Sequence, residues 1–206
     1  MVAIGVLASG SGSNLQALID AELSPAKIAV VIANVPGVRA LDRARAAKVP
    51  AVLIDHKTFS ERGAFDRALV ATLREHGVEW VVLAGFMRIV TRELLDAFPD
   101  RVVNIHPALL PAFPGTHGQK QALDAGVKLS GCTVHLVDEG TDTGPILAQT
   151  AVPVLSDDDE ARLSARILAE EHRLYPRVVR ALAEGRLRIE KTAAGKRRAW
   201  IDGGLS

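Results

Sequence analysis

Apolar runs without polar alternation at residues 2–7, 28–33, 51–54 and 80–84 are separated by helix-like stretches through the first half of this chain. A strand of that kind must be buried on both faces, and the helices between successive strands supply the cover. The intervening stretches 14–21, 39–48 and 60–76 carry helical spacing. In the last of them Phe65, Leu69 and Leu73 share one face at i, i+4 and i+8. A mostly parallel, Rossmann-like sheet flanked by helices is the fold expected.

The pattern changes beyond residue 106. A proline-rich loop reaches Gly115, a helix runs to Ala125, and residues 131–137 and 146–154 read as paired, antiparallel strands. A long helix from residue 157 follows, with Ser156 as its expected N-cap and the acids of 157–160 suiting the positive end of its dipole. Pro176 is expected to kink or divide that helix. Residues 187–189 and 199–201 are expected to close the sheet as edge strands. Neither repeat nor linker is evident, so one domain is expected over 1–206, with a Rossmann-like half at 1–100 and a distinct half at 101–206.

The segment Asn104-Ile105-His106-Pro107 concentrates the chemistry. In an extended chain residues i and i+2 point the same way, so an amide donor and an imidazole converge at the carboxyl edge of the sheet, where such folds hold ligands. One group suits a developing oxyanion, and the other moves protons near neutral pH. A neighbouring carboxylate would raise the imidazole pKa and orient the ring. Asp138, Glu139 and Asp142 are the candidates, and Asp142 stands in the stiffer setting, before Thr143-Gly144-Pro145. For Asp138 a turn-forming role weighs equally. Of the other histidines, His135 reads as a core residue of an apolar strand, and His56 and His76 as exposed. No serine or cysteine occupies a nucleophile elbow and the histidine spacing matches no zinc motif, which points to direct transfer with no metal.

Between the first strand and first helix lies Ser9-Gly10-Ser11-Gly12-Ser13-Asn14. Glycines let backbone N–H groups approach an anion at a helix N-terminus, so a phosphate is the natural ligand. The turn lacks the lysine of a Walker A loop. It also lacks the third glycine of the dinucleotide fingerprint, since position 15 is Leu15, and Asn34 stands where that fingerprint wants an acid. A phosphosugar fits better than a dinucleotide.

The formal net charge of +1 gives no basic surplus for nucleic acid, and the short clusters at Arg43/Arg45 and Lys196-Arg197-Arg198 read as solvated faces. No apolar run approaches membrane-spanning length. Cys132 is the single cysteine and reads as a small core residue. With no charged leader before the first strand, a cytoplasmic location is expected.

Taken together, these motifs resemble the glycinamide ribonucleotide formyltransferases, folate-dependent enzymes of purine synthesis. The resemblance runs over nearly the whole chain through Gly10-Ser11-Gly12-Ser13-Asn14-Leu15-Gln16-Ala17, Val81-Val82-Leu83-Ala84-Gly85-Phe86-Met87-Arg88-Ile89, Asn104-Ile105-His106-Pro107, Asp142-Thr143-Gly144-Pro145-Ile146 and Glu171-His172. It implies a formyltransferase fold, with 10-formyltetrahydrofolate as co-substrate and phosphoribosylglycinamide as acceptor. It further implies Gly12, Ser13 and Asn14 on the phosphate and Glu171 on the ribose. Met87, Arg88, Ile89 and Val90 would line the folate slot, with Arg62 near its benzoyl-glutamate end and Asp138, Glu139, Gly140 and Thr141 facing the pterin. Asn104, His106 and Asp142 match the catalytic trio, Asn104 also touching the folate. Met87 is expected to contribute backbone contacts alone, and Ser9 and Leu109 have structural readings only. Leu168 departs from the polar or basic residue of many relatives, leaving phosphate binding more dependent on the first turn, and His117 falls in a variable loop. A formyltetrahydrofolate hydrolase and a noncatalytic phosphosugar-binding protein are the alternatives. The added N-terminal domain usual in the hydrolases, and the added C-terminal nucleic-acid-binding domain of tRNA formyltransferases, are not expected. A monomer or weak homodimer is expected.

Overall fold

The computed structural model describes residues 1–205. Seven strands form a mostly parallel sheet flanked by helices, in the order β3-β2-β1-β4-β5-β6-β7. Two compact units, Met1–Asn104 and the chain from Ile105 on, are described in turn.

The first unit is the βα alternation. Strand β1 (Val2–Ala8) pairs in parallel with β2 (Ala26–Ala33) and β4 (Trp80–Leu83). Strand β2 carries β3 (Ala51–Leu53), and β4 carries β5 (Val102–His106) through Val81↔Val102, Val82↔Val103 and Leu83↔Asn104. Val6, Leu7, Val31, Ile32, Val81 and Val82 are fully buried, as two covered sheet faces require. Helices α1 (Ser13–Asp20), α2 (Arg39–Ala46) and α3 (Arg62–Glu75) occupy the expected connections, and Leu69 and Leu73 of α3 are buried on the expected face. Two short elements escaped the sequence reading: a 3-10 turn at His56–Thr58 and helix α4 (Arg92–Ala97). Both are too brief for a helical period to register.

In the second unit, helix α5 (Gly118–Asp124) leads to antiparallel β6 (Leu129–Leu136) and β7 (Ile146–Pro153). Helix α6 (Glu160–Ala183) begins later than expected. Its cap is Asp159, whose carboxylate accepts from the Arg162 amide at 2.8 Å, and Ser156 takes no part. Asp158 instead makes a forked pair with Arg166, 2.7 and 2.9 Å, which holds its carboxyl down at about 2. Pro176 does not divide α6: the helix runs through it. Tyr175, Pro176, Val178 and Val179 are all buried, and α6 packs on β6 and β7, so tertiary contact outweighs the missing amide. Strands β8 (Leu187–Lys191) and β9 (Arg197–Ile201) do not extend the main sheet but pair with each other as a separate two-stranded sheet. Among the described residues no helix is long and apolar enough to cross a membrane.

Candidate active site

Strand β5 delivers the amide and the imidazole as its alternation requires. Asn104 is half-buried at the middle of the strand, and His106 closes it with only 4% of its surface exposed. Asp142 lies against the His106 ring, its Oδ2 3.3 Å from Nδ1. The same carboxylate accepts from the Gly115 amide at 2.8 Å, and its Oδ1 stands 3.5 Å from Nε2 of His135. His135 is thus more than the core residue its apolar strand suggests. It is buried, its Nδ1 lies 2.9 Å from the Leu136 carbonyl, and its other nitrogen faces the acid. Nothing in a strand pattern reveals that the 138–145 loop folds back over this position.

Backbone geometry aims the carboxylate. Asp142 has φ 55° and Phe113 has φ 57°, a conformation that costs a non-glycine residue on the order of 1–3 kcal/mol. Both present an acceptor to the imidazole: the Phe113 carbonyl lies 2.8 Å from His106 Nε2, opposite Asp142. Gly144 fixes the return of the loop, because a Cβ there would lie 1.8 Å from the Leu136 carbonyl oxygen. The connection after His106 is tied down by Thr133. Its buried hydroxyl donates to the Ala108 carbonyl at 2.7 Å and accepts from the Leu110 amide at 3.0 Å, while Gln149 Nε2 reaches the Leu110 carbonyl at 2.8 Å.

Burial and the expected pull of the acid oppose each other at His106. Burial lowers the His106 pKa, and the Phe113 carbonyl and the Asp142 charge pull it back up only in part, so the net direction is down. An acceptor already faces each ring nitrogen. For Asp142, burial works to raise the pKa, but the bonds to His135 and Gly115 and the charge of His106 outweigh it, and the carboxyl is held below its ordinary range. The Cys132 thiol, buried in β6, is pushed up to about 12 by burial first and by Glu171 and Glu170 after it, which leaves it inert as a nucleophile.

In the first unit the glycine-rich turn leads directly into α1. Gly12 is the N-cap residue of α1 with φ 69°, and a Cβ there would meet Ala40 at 2.8 Å, so only glycine fits. Ser13 opens the helix and Asn14 is buried in its first turn. Arg43, expected on a solvated face, instead braces this turn: Nε donates to the Ser11 carbonyl at 2.9 Å and Nη1 to Gln16 Oε1 at 2.8 Å. Met87 and Ile89 are 75% and 54% exposed on the irregular segment after β4, with Arg88 stacked 5.3 Å over the Phe65 ring. Val90 turns its side chain into the core, so only its backbone is available to a ligand, and Arg62 sits exposed at the start of α3.

The chain matches the model of a protein family described as formyl transferase over residues 2–179. The chain belongs to that family. This formyl transferase is 48% identical over 198 residues to the phosphoribosylglycinamide formyltransferase of Mycobacterium tuberculosis, covering 95% of this chain and 92% of that protein. It is 50% identical over 187 residues to the trifunctional purine biosynthetic protein adenosine-3 of Drosophila melanogaster, which covers 88% of this chain; the match spans only 14% of that much longer protein. Among solved structures, glycinamide ribonucleotide transformylase 1 from Symbiobacterium toebii superposes with a TM-score of 0.93 at 52% identity, covering 98% of this chain and 94% of that one.

Within this formyl transferase the remaining expected residues fall in two settings. Asp138 does what a turn residue does, its Oδ1 accepting from Thr143 Oγ1 at 2.7 Å and from the Gly140 amide at 3.1 Å. Glu139, Gly140 and Thr141 are exposed around it. Glu171 is buried on α6, an uncommon place for a carboxylate and one that singles it out.

Proposed function

We propose that this formyl transferase moves the formyl group of 10-formyltetrahydrofolate to the glycine amine of phosphoribosylglycinamide, a step of de novo purine synthesis. The observation that carries the reading is the Asp142 carboxylate against His106, two residues beyond the Asn104 amide on one strand. The amine nitrogen attacks the formyl carbon, and Asn104 donates a hydrogen bond to the oxygen as it takes up charge. The amine gives up a proton to the His106–Asp142 pair, whose carboxylate stabilises positive charge on the imidazole, and the pair delivers a proton to N10 of the folate as the carbon–nitrogen bond breaks, leaving formylated phosphosugar and tetrahydrofolate. Gly12, Ser13 and Asn14 hold the phosphate and Glu171 the ribose. Residues 87–90, Arg62, Asn104 and the loop 138–141 bind the folate. The reaction runs in the cytoplasm, in a monomer or weak homodimer, and its chemistry needs no metal.

Mixing the protein with both substrates and weighing the products tests this. Phosphoribosylglycinamide should gain one formyl group for each tetrahydrofolate released. Formate release without a formylated sugar would replace the transferase reading with a hydrolase.

Replacing Asp142 by Asn tests the carboxylate. Asparagine tolerates the same positive φ and can still accept from Gly115. The charge that stabilises the imidazolium is lost, and turnover should fall about 10- to 10²-fold, the worth of one hydrogen bond to a charged group. Asp142 also raises the His106 pKa, so its removal moves that pKa further down. The limb of the kcat/KM pH profile that follows the histidine should therefore shift to lower pH in the variant. An unmoved limb would detach Asp142 from the imidazole.

A further inference from the structure

The geometry points to Ser9 and Asp66 as positioning residues that tether the exposed 87–90 segment at its two ends and so set folate affinity. The segment follows β4, has no regular secondary structure, and faces solvent through Met87 and Ile89. An irregular stretch with two exposed apolar side chains holds one shape only if its backbone is tied, since each freely rotating residue loses conformational entropy when it is ordered on binding.

Both ends are tied by side chains from elsewhere in the first unit. At the entry, the Met87 amide donates to Ser9 Oγ at 2.8 Å, and the Ser9 hydroxyl donates to Asn34 Oδ1 at 2.7 Å. A hydroxyl has one proton to give, so the direction of this relay is fixed: Met87 N–H to Ser9, Ser9 O–H to Asn34. The Ser9 amide adds a bond to the Gly85 carbonyl at 3.0 Å. Asn34 is buried, and its own carbonyl lies 2.7 Å from Nδ1 of the half-buried His56. At the exit, the Thr91 amide donates to Asp66 Oδ2 at 2.5 Å. Asp66 is 2% exposed on α3, a costly site for a carboxylate whose partner is a loop amide. Just before the segment Phe86 stacks on Phe65 with centroids 6.4 Å apart, and within it Arg88 covers that same ring. Sequence position gives Ser9 to the phosphate turn and Asp66 to a helix face; the structure turns both toward one backbone segment.

The inference rests on residues 87–90 meeting the folate. Calorimetric titration of tetrahydrofolate and, separately, of phosphoribosylglycinamide into Ser9→Ala and Asp66→Ala tests it. Loss of either tether should weaken tetrahydrofolate about 5- to 10-fold, the worth of one hydrogen bond, with phosphoribosylglycinamide affinity within about twofold. Ser9→Thr and Asp66→Asn, which keep an acceptor for the amide, should restore binding. A purely structural role would lower both affinities together, and that outcome, or unchanged tetrahydrofolate affinity in the folded Ser9→Ala protein, overturns the proposal. If the parental protein takes up the phosphosugar but no tetrahydrofolate, the folate reading beneath it fails instead.

Discussion

His106→Ala should lower turnover by about 10²- to 10⁴-fold, the usual contribution of a positioned acid–base group. The loss should appear in kcat and kcat/KM alike, because the proton is moved in the transition state and the phosphosugar is anchored elsewhere. Direct titration of phosphoribosylglycinamide should find its affinity nearly unchanged. Alanine also releases the Phe113 carbonyl and one side of Asp142 from their shared partner. His106→Gln, which keeps polar atoms in this buried place, separates the two effects: it should be as slow as the alanine variant while recovering its stability. A fast glutamine variant would show that the ring positions the loop and does not carry a proton.

Asn104→Ala should cost about 3–4 kcal/mol in transition-state stabilisation, or 10²- to 10³-fold in kcat, the range for removing one oxyanion donor. Asn104→Asp replaces the donor with an acceptor and a negative charge at the place where charge develops, so it should be slower still. Asn104→Ala with near-parental kcat and a raised KM would reassign the residue to ground-state folate binding.

The part of this protein that follows from a period could be read in advance. Unbroken apolar runs gave the parallel strands, and the two-residue alternation of β5 put Asn104 and His106 together. The stiff Thr143-Gly144-Pro145 setting pointed to Asp142, and the Cβ that Gly144 cannot carry is the physical content of that stiffness. What escaped depends on where distant segments return. His135 sits in an ordinary apolar strand, and only the loop crossing above it makes it a partner of Asp142. Arg43 looks like any cation on a helix until its guanidinium reaches back to the carbonyl of Ser11. The acid does raise the imidazole pKa as its neighbourhood suggests, while the burial that outweighs it is hidden in a sequence. Edge strands β8 and β9 read correctly as strands. Their sheet did not, since the strand pattern specifies which face is buried and leaves the pairing partner open.

The claim on which the chemistry turns is that His106 and Asp142 work as one proton-handling unit. A double-mutant cycle over turnover, with parental protein, His106→Ala, Asp142→Asn and the doubly substituted protein, measures that coupling directly. Without the imidazole the carboxylate has nothing to stabilise, so Asp142→Asn should change the His106→Ala background by less than about threefold, against about 10- to 10²-fold in the parental protein. Equal fold-losses in the two backgrounds would mean that the two side chains act independently, and the mechanism would be wrong.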